Sequence, residues 1–168
     1  MGCCGKEYET GNCVCDILKE IADVQSDIVE NCCDTSCERS INDLLGEQET
    51  NDLDTVPVLL YCHDGCKPFK GFGAFRGNNN GTCDFGEVVG SYYFRVKKVD
   101  DNCCAILELL RDPNDDDCNP SDPVCQDTCH LRATGICITV DVNCFCHVTC
   151  MPAISAFDTV VSPSEGKY

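Results

Sequence analysis

Apolar spacing divides the chain into a short list of elements. Val14, Ile17, Leu18, Ile21, Val24 and Ile28 recur at three- and four-residue intervals, with Asp16, Lys19, Glu20, Asp23 and Asp27 between them. That spacing predicts an amphipathic helix whose apolar stripe packs on its own domain. Asn12 is placed to cap it, and Asn31-Cys32-Cys33-Asp34 to end it. A shorter helical turn is expected over 40–45, then an acidic polar loop over 46–55.

From there the period falls to two. Val56–Tyr61 is apolar, with Pro57 at an edge position. Phe69, Gly71, Gly73 and Phe75 share one side of the next segment, and its two glycines predict a bend or a bulge. Asn78-Asn79-Asn80-Gly81 is a turn sequence, because Asn and Gly tolerate positive φ. Tyr92, Phe94 and Val96 alternate with Tyr93, Arg95 and Lys97, and Asp100-Asp101-Asn102 returns the chain into 103–110. This predicts an antiparallel hairpin. On its second strand Cys103, Ala105, Leu107 and Leu109 fall inside, and Cys104 and Glu108 fall outside. Residues 112–130 form a Pro- and Asp-rich loop carrying Cys118, Cys125 and Cys129.

The run Ile136–Cys150 reads as one long amphipathic strand. Its inner face carries Ile136, Ile138, Val140, Val142, Cys144, Cys146, Val148 and Cys150. Its outer face carries Cys137, Thr139, Asp141, Asn143, Phe145, His147 and Thr149. Short strands, turn signals and one helix predict a mainly β fold, an antiparallel β-sandwich or small barrel with an N-terminal amphipathic helix and cysteine-bearing arms. Residues 1–12, Gly-rich and holding Cys3 and Cys4, read as a flexible arm. Residues 13–151 read as a single domain, and 152–168 as a C-terminal tail.

Composition sharpens this picture. A chain of 168 residues with 43% hydrophobic content builds a core unaided, so its 19 cysteines are not there to rescue a small domain. Their odd number leaves at least one thiol over within a monomer. The start, MGCCGKEYETGNC, lacks the basic and apolar regions of a signal peptide. Lys6 stands where a myristoylation signal has Ser or Thr. No apolar run is long enough to span a membrane. The formal charge of −17 excludes nucleic acid as a partner and disfavours anionic membranes. It also sets identical subunits against one another over roughly 8 Å, the range left by salt screening. Assembly therefore calls for covalent crosslinks, or for divalent cations between acidic loops.

Cysteine spacing narrows the chemistry. No C-x-x-C occurs, which removes thioredoxin-type redox chemistry and the usual zinc ribbon. C-x-x-x-C recurs instead, at Cys33/Cys37, Cys62/Cys66, Cys125/Cys129 and Cys146/Cys150. His63, His130 and His147 each follow a cysteine, so a reduced zinc- or copper-binding protein is the alternative reading. A Cys-His nucleophilic enzyme is disfavoured, because it needs one activated thiolate kept apart from competing thiols. Asp112–Asp117 sets oxygen ligands at calcium-loop spacing, but Asp117 stands where that loop needs Gly and Pro123 where it needs Glu. No catalytic residue, metal ligand or cofactor motif is assigned.

Four segments resemble a known family: CVCDILKEI (13–21), PVLLYCHDGCKPFKGFGAF (57–75), YFRVKKVDDNCCAILELL (93–110) and CITVDVNCFCHVTC (137–150). They are similar to the spore coat protein Y/Z family of endospore-forming bacteria, which includes closely related exosporium proteins, and they follow in order over most of 13–150. The resemblance implies a structural protein, not an enzyme, made in the mother cell without a signal peptide and placed on the spore surface (outer coat, crust or exosporium). It implies self-assembly into a two-dimensional, typically hexagonal, disulfide-cemented lattice. The partners are other copies, in hexameric units, and other coat or exosporium proteins. Cys104, Cys137, Cys144, Cys146 and Cys150 lie in matching blocks; Cys62, Cys66 and the 112–124 loop are not carried over. On this reading Cys3, Cys4, Cys13, Cys15 and Cys104 are candidates for intermolecular crosslinks. Cys103, Cys144, Cys146 and Cys150 are candidates for the core or for in-chain bonds.

Overall fold

The apolar stripe of the first segment winds into helix α1, Cys13–Val24, with Val14, Cys15, Ile17, Leu18, Ile21 and Val24 buried. A computed structural model describes residues 13–24, 37–45, 53–77, 81 and 83–157. The arm 1–12, the cap at Asn12, the end of the first helix, and Asn78–Asn80 of the turn lie outside them. The second helix, α2, runs Cys37–Leu45, three residues longer at its start than the spacing indicates. It buries Ile41 and Leu44, and its Ser40 hydroxyl donates to the Met151 carbonyl at 2.6 Å.

Seven strands follow: β1 Val58–Cys62, β2 Gly71–Arg76, β3 Phe85–Ser91, β4 Phe94–Val99, β5 Cys104–Arg111, β6 Arg132–Asp141 and β7 Phe145–Cys150. Five form one antiparallel sheet in the order β6-β5-β4-β1-β7, and β2–β3 is a separate hairpin. The fold is therefore mainly antiparallel β, sandwich-like in two sheets, with helices over one side. Val58, Leu60, Phe94, Val96, Ala105, Leu107, Leu109 and Phe145 of the large sheet share one core with α1, α2 and Val89 of β3. Leu59, Tyr93, Leu110, Leu131 and Ala156 form a smaller cluster with Tyr92.

Within the sheet the joint between β1 and β4 is narrow, a single register pair, Val58↔Phe94. Two disulfides clamp the helices over the sheet on either side of that joint. Cys15 of α1 is bonded to Cys103 in the β4–β5 turn, and Cys37 of α2 to Cys150 at the end of β7.

The structure revises several expectations. Ile136–Cys150 is not one strand: a 3-10 turn at Val142–Cys144 divides it, and the Asp141 carboxylate caps that turn by accepting from the Asn143 amide. The alternation holds up to buried Val142, after which three residues of tighter winding rotate the face. Phe145, expected outside, is core, while Cys144 and Cys146, expected inside, are exposed. The turn also joins the two edge strands β6 and β7, so the sheet curls until its edges meet there.

Glu108, expected outside, is buried. A bulge between β5 and β6 leaves the Gly135 amide without a ladder partner, Gly135 taking φ 78°, and a Glu108 carboxylate oxygen accepts that amide at 2.8 Å. Its other oxygen faces Lys97 Nζ at 3.5 Å. Strand β3, which follows the Asn-Gly turn, has no counterpart in the sequence reading. Residues 152–157 are not a free tail either. Ile154 exchanges backbone hydrogen bonds with Thr55, and the Ala156 carbonyl accepts from Ala133.

The two glycines of β2 serve close approach more than bending. A Cβ on Gly73 would lie 2.2 Å from Ile136 Cγ2, and one on Gly71 would lie 2.8 Å from both Phe94 and Ile138. Ile136 is buried and β-branched, so it yields little at χ1. Gly73→Ala is therefore expected to destabilise the fold by about 1–3 kcal/mol, the usual cost of overpacking. A shift of the urea midpoint would report it, and an unchanged midpoint would show that the hairpin moves away freely.

Candidate functional site: the thiol-bearing surface

Thiols are the reactive groups most abundant on this chain, and the fold sorts them. Among the described residues four cysteines are in disulfides and eleven are free, nine of the eleven exposed. Cys3, Cys4, Cys32 and Cys33 lie outside the described residues.

Cys15 was a crosslink candidate because it stands beside the arm. It is fully buried on the sheet-facing side of α1 and bonded to Cys103, so it closes the subunit instead of joining subunits. Cys103 reaches it from a tight turn. Residue 103 takes φ 59°, and the Asp100 carboxylate accepts from the amides of Asn102 and Cys104, both at 2.9 Å. Cys104, next in sequence, points the opposite way and is exposed and free. Cys13, two residues before Cys15 on α1, is also exposed and free. The Cys15–Cys103 staple therefore carries a free thiol close by on each of its two segments.

Cys104 and Cys137 occupy the sheet face turned away from the helices, where Cys104 pairs with Asp141 and Cys137 with Glu108. Exposed Ile106 lies between Cys104 and Glu108 on β5. Beyond the 3-10 turn that follows Asp141, Cys62, Cys66, Cys144 and Cys146 gather where β1 meets β7. Burial first, then the neighbouring Cys144 and Asp64, push the Cys62 thiol above its ordinary range. Cys150, by contrast, is consumed in the bond to Cys37.

The 112–130 loop holds three more free thiols, and its acidity has a local use. Asp112, Asp115, Asp117, Asp122 and Asp127 each accept the amide two residues on, at 2.8–3.0 Å. These carboxylates replace absent ladder partners and wind the loop on itself. Arg111, buried, anchors it by donating to the carbonyls of Gly90 and Asp117. Gln126, also buried, accepts from the Tyr92 amide and donates to Ser91 Oγ and the Leu110 carbonyl. The Asp127 carboxylate beside the Cys129 thiol raises its pKa.

The histidines do not converge. His130 is exposed and lies 3.7 Å from the Asp112 carboxylate. His147 meets the Thr149 hydroxyl at 3.0 Å and the edge of Tyr61, and His63 lies in the turn after β1. Among the described residues no group of three or more His, Cys, Asp or Glu side chains is arranged to hold a metal ion. Among the same residues no helix is long and apolar enough to cross a membrane.

Sequence reasoning set Cys103 and Cys104 on opposite faces of one strand; in the structure Cys103 is buried in the turn before β5 and Cys104 is exposed at its start. Sequence reasoning missed the grouping of Cys62 and Cys66 with Cys144 and Cys146. The only signal for it was one C-x-x-x-C spacing, Cys62/Cys66, and one C-x-C, Cys144/Cys146, which say nothing about which strands lie side by side.

A family model described as spore coat protein Z matches residues 1–153. Spore coat protein Z of Bacillus subtilis (strain 168) is 30% identical over 149 residues, covering 85% of this chain and 90% of that protein. No solved structure matches.

Proposed function

The chain belongs to the spore coat protein Z family, and we propose that it is a non-enzymatic building block of the spore's outer layer. In this reading it sits at the spore surface among other coat proteins. Copies self-assemble into a two-dimensional, hexagonal lattice, and disulfides between subunits lock the sheet. Cys13 and Cys104 are the seams, with Cys3 and Cys4 of the arm beside them.

One observation carries the proposal. Two in-chain disulfides already close the subunit, yet nine free thiols remain exposed among the described residues. A fold that needed cysteine only for its own stability would not display them. Covalent bonds also answer the charge of −17, which opposes close packing of identical subunits. Around Cys104 the repulsion is local, because Asp100, Asp101 and the opposed Asp141 surround it.

Without reductant the purified protein is expected to run as a ladder on a denaturing gel, and with reductant as monomer. Negative-stain images should show sheets before reduction. Raising ionic strength should speed the ladder by screening the aspartates around Cys104, and Cys13→Ser with Cys104→Ser should shorten it. Monomer in both lanes would overturn the crosslinked lattice, as would stoichiometric zinc or copper on protein purified under reducing conditions.

A further inference from the structure

The ladder between β1 and β7 runs regularly from Val58↔Cys150 to Tyr61↔His147 and then skips to Cys62↔Phe145. The residue left over is Cys146, so β7 bulges there. Bulges commonly re-aim a side chain out of the regular alternation. The Cys146 sulfur lies 3.5 Å from the Cys62 carbonyl and 3.7 Å from that of Tyr61, on the surface and away from the core.

The turn after β1 comes back to meet it. Gly65 takes φ 73° and Cys66 φ 50°, and a left-handed conformation is uncommon for a residue with a Cβ. The Cys62 amide donates to the Lys67 carbonyl at 2.9 Å, and Tyr61 bridges Pro68, so the turn folds back over the end of β1. The His63 amide donates to the Cys144 carbonyl at 2.9 Å, which ties the turn to the segment entering β7. The result is that Cys66 and Cys146, both free and both exposed, stand side by side, close enough for Cys66 to raise the pKa of the Cys146 thiol.

We propose that Cys66 and Cys146 form a dithiol that closes into an in-chain disulfide when the protein meets a small-molecule disulfide, withdrawing both thiols from crosslinking between subunits. The Cys66 thiolate attacks the oxidant RSSR, forming a Cys66–S–S–R bond and releasing one thiolate RS⁻. The Cys146 thiolate then displaces the second RS⁻. Two protein thiols lose their protons and two electrons, one S–S bond forms, and RSSR is reduced to two RSH. The bond pins the turn over 63–66 to β7 and leaves Cys62 and Cys144 as the remaining free thiols at this end. Local desolvation of the sulfur against the Tyr61 and Cys62 carbonyls chiefly, and then Cys66, hold the Cys146 thiol above its ordinary range, so closure quickens as pH rises.

The test uses the full chain, as purified, at a dilution where it elutes as monomer. Oxidised glutathione is added at pH 7 and pH 8.5, remaining thiols are alkylated, and the monomer band is digested and mapped by fragmentation. The expected result is a Cys66–Cys146 link that forms faster at pH 8.5. In Cys66→Ser, Cys146 should carry glutathione instead, and Cys146→Ser should strand Cys66 in the same way. The proposal is overturned if both residues carry glutathione in the parent chain, or if either pairs with Cys62 or Cys144. It is also overturned if mixed isotope labelling shows Cys146 linked only between copies. Because the readout is the monomer band, failure of lattice formation would leave it unaffected.

Discussion

Replacing Cys15 and Cys103 together by alanine is expected to lower the free energy of unfolding by roughly 3–5 kcal/mol. The bond spans 88 residues of sequence, and crosslinks that close long loops remove the most freedom from the unfolded chain. Its position adds to this. α1 contributes Val14, Ile17, Leu18, Ile21 and Val24 to the main core, and Cys15 is its only covalent tie to the β4–β5 turn among the described residues. Without that tie the helix is held by noncovalent contacts, its packing and polar pairs such as Lys19–Asp101 at 3.9 Å, and its loosening uncovers the sheet beside the narrow β1–β4 joint. Chemical denaturation without reductant should show the lower stability. Addition of reductant should then cost the variant less than it costs the parent, because only Cys37–Cys150 of the two clamps remains to be broken. A variant as stable as the parent would mean that noncovalent contacts suffice to hold α1.

The second large effect is expected at Arg111. Its guanidinium is 1% exposed, donates to the Gly90 carbonyl at 3.1 Å and the Asp117 carbonyl at 2.5 Å, and lies 3.7 Å from the Asp115 carboxylate. Arg111→Met keeps much of the stem but takes the guanidinium donor from two carbonyls and the cation from a largely buried carboxylate. Breaking a buried charge pair from one side typically costs about 3–5 kcal/mol. The loss should concentrate in the 112–130 loop, whose internal Asx turns order it locally but do not attach it to the sheet. A protease that cuts before aspartate should cleave this loop much faster in the variant. Arg111→Lys should not restore it, since a point charge cannot reach both carbonyls in the fork geometry of the guanidinium. Equal cleavage of parent and Arg111→Met would assign the anchoring to Gln126 and to the tyrosine hydroxyls, which donate to the carbonyls of Ser121 and Pro123.

The parts of this fold that could be read from sequence are those with unbroken periodicity. α1 shows the three-four spacing, and β4–β5 shows alternation on both sides of an Asp-rich turn. Family membership was legible for a related reason, since the most specific segments lie in the β4–β5 hairpin and in β6 and β7. What could not be read depends on single residues that reset the period. Asp141 capping a three-residue 3-10 turn turns Cys144 outward and Phe145 inward, and the bulge at Cys146 then restores the inner face for Val148 and Cys150, yet the hydrophobic pattern passes through both unchanged. Glu108 looks like a surface residue until Gly135 leaves an amide for it to satisfy. The Cys15–Cys103 and Cys37–Cys150 bonds were beyond sequence for a simpler reason: spacing along the chain carries no information about partners 88 and 113 residues apart.

The Cys15–Cys103 bond also has a mechanical consequence. Cys13 stands two residues from one of its sulfurs, and Cys104 directly follows the other. If neighbouring subunits are joined at Cys13 and at Cys104, tension entering at one seam leaves at the other through a few backbone bonds and one disulfide. The strand ladder and the core lie outside that load path. A stretched sheet of such subunits would carry force through covalent bonds while each domain stayed folded, and its tensile strength would not depend on the stability of the subunit.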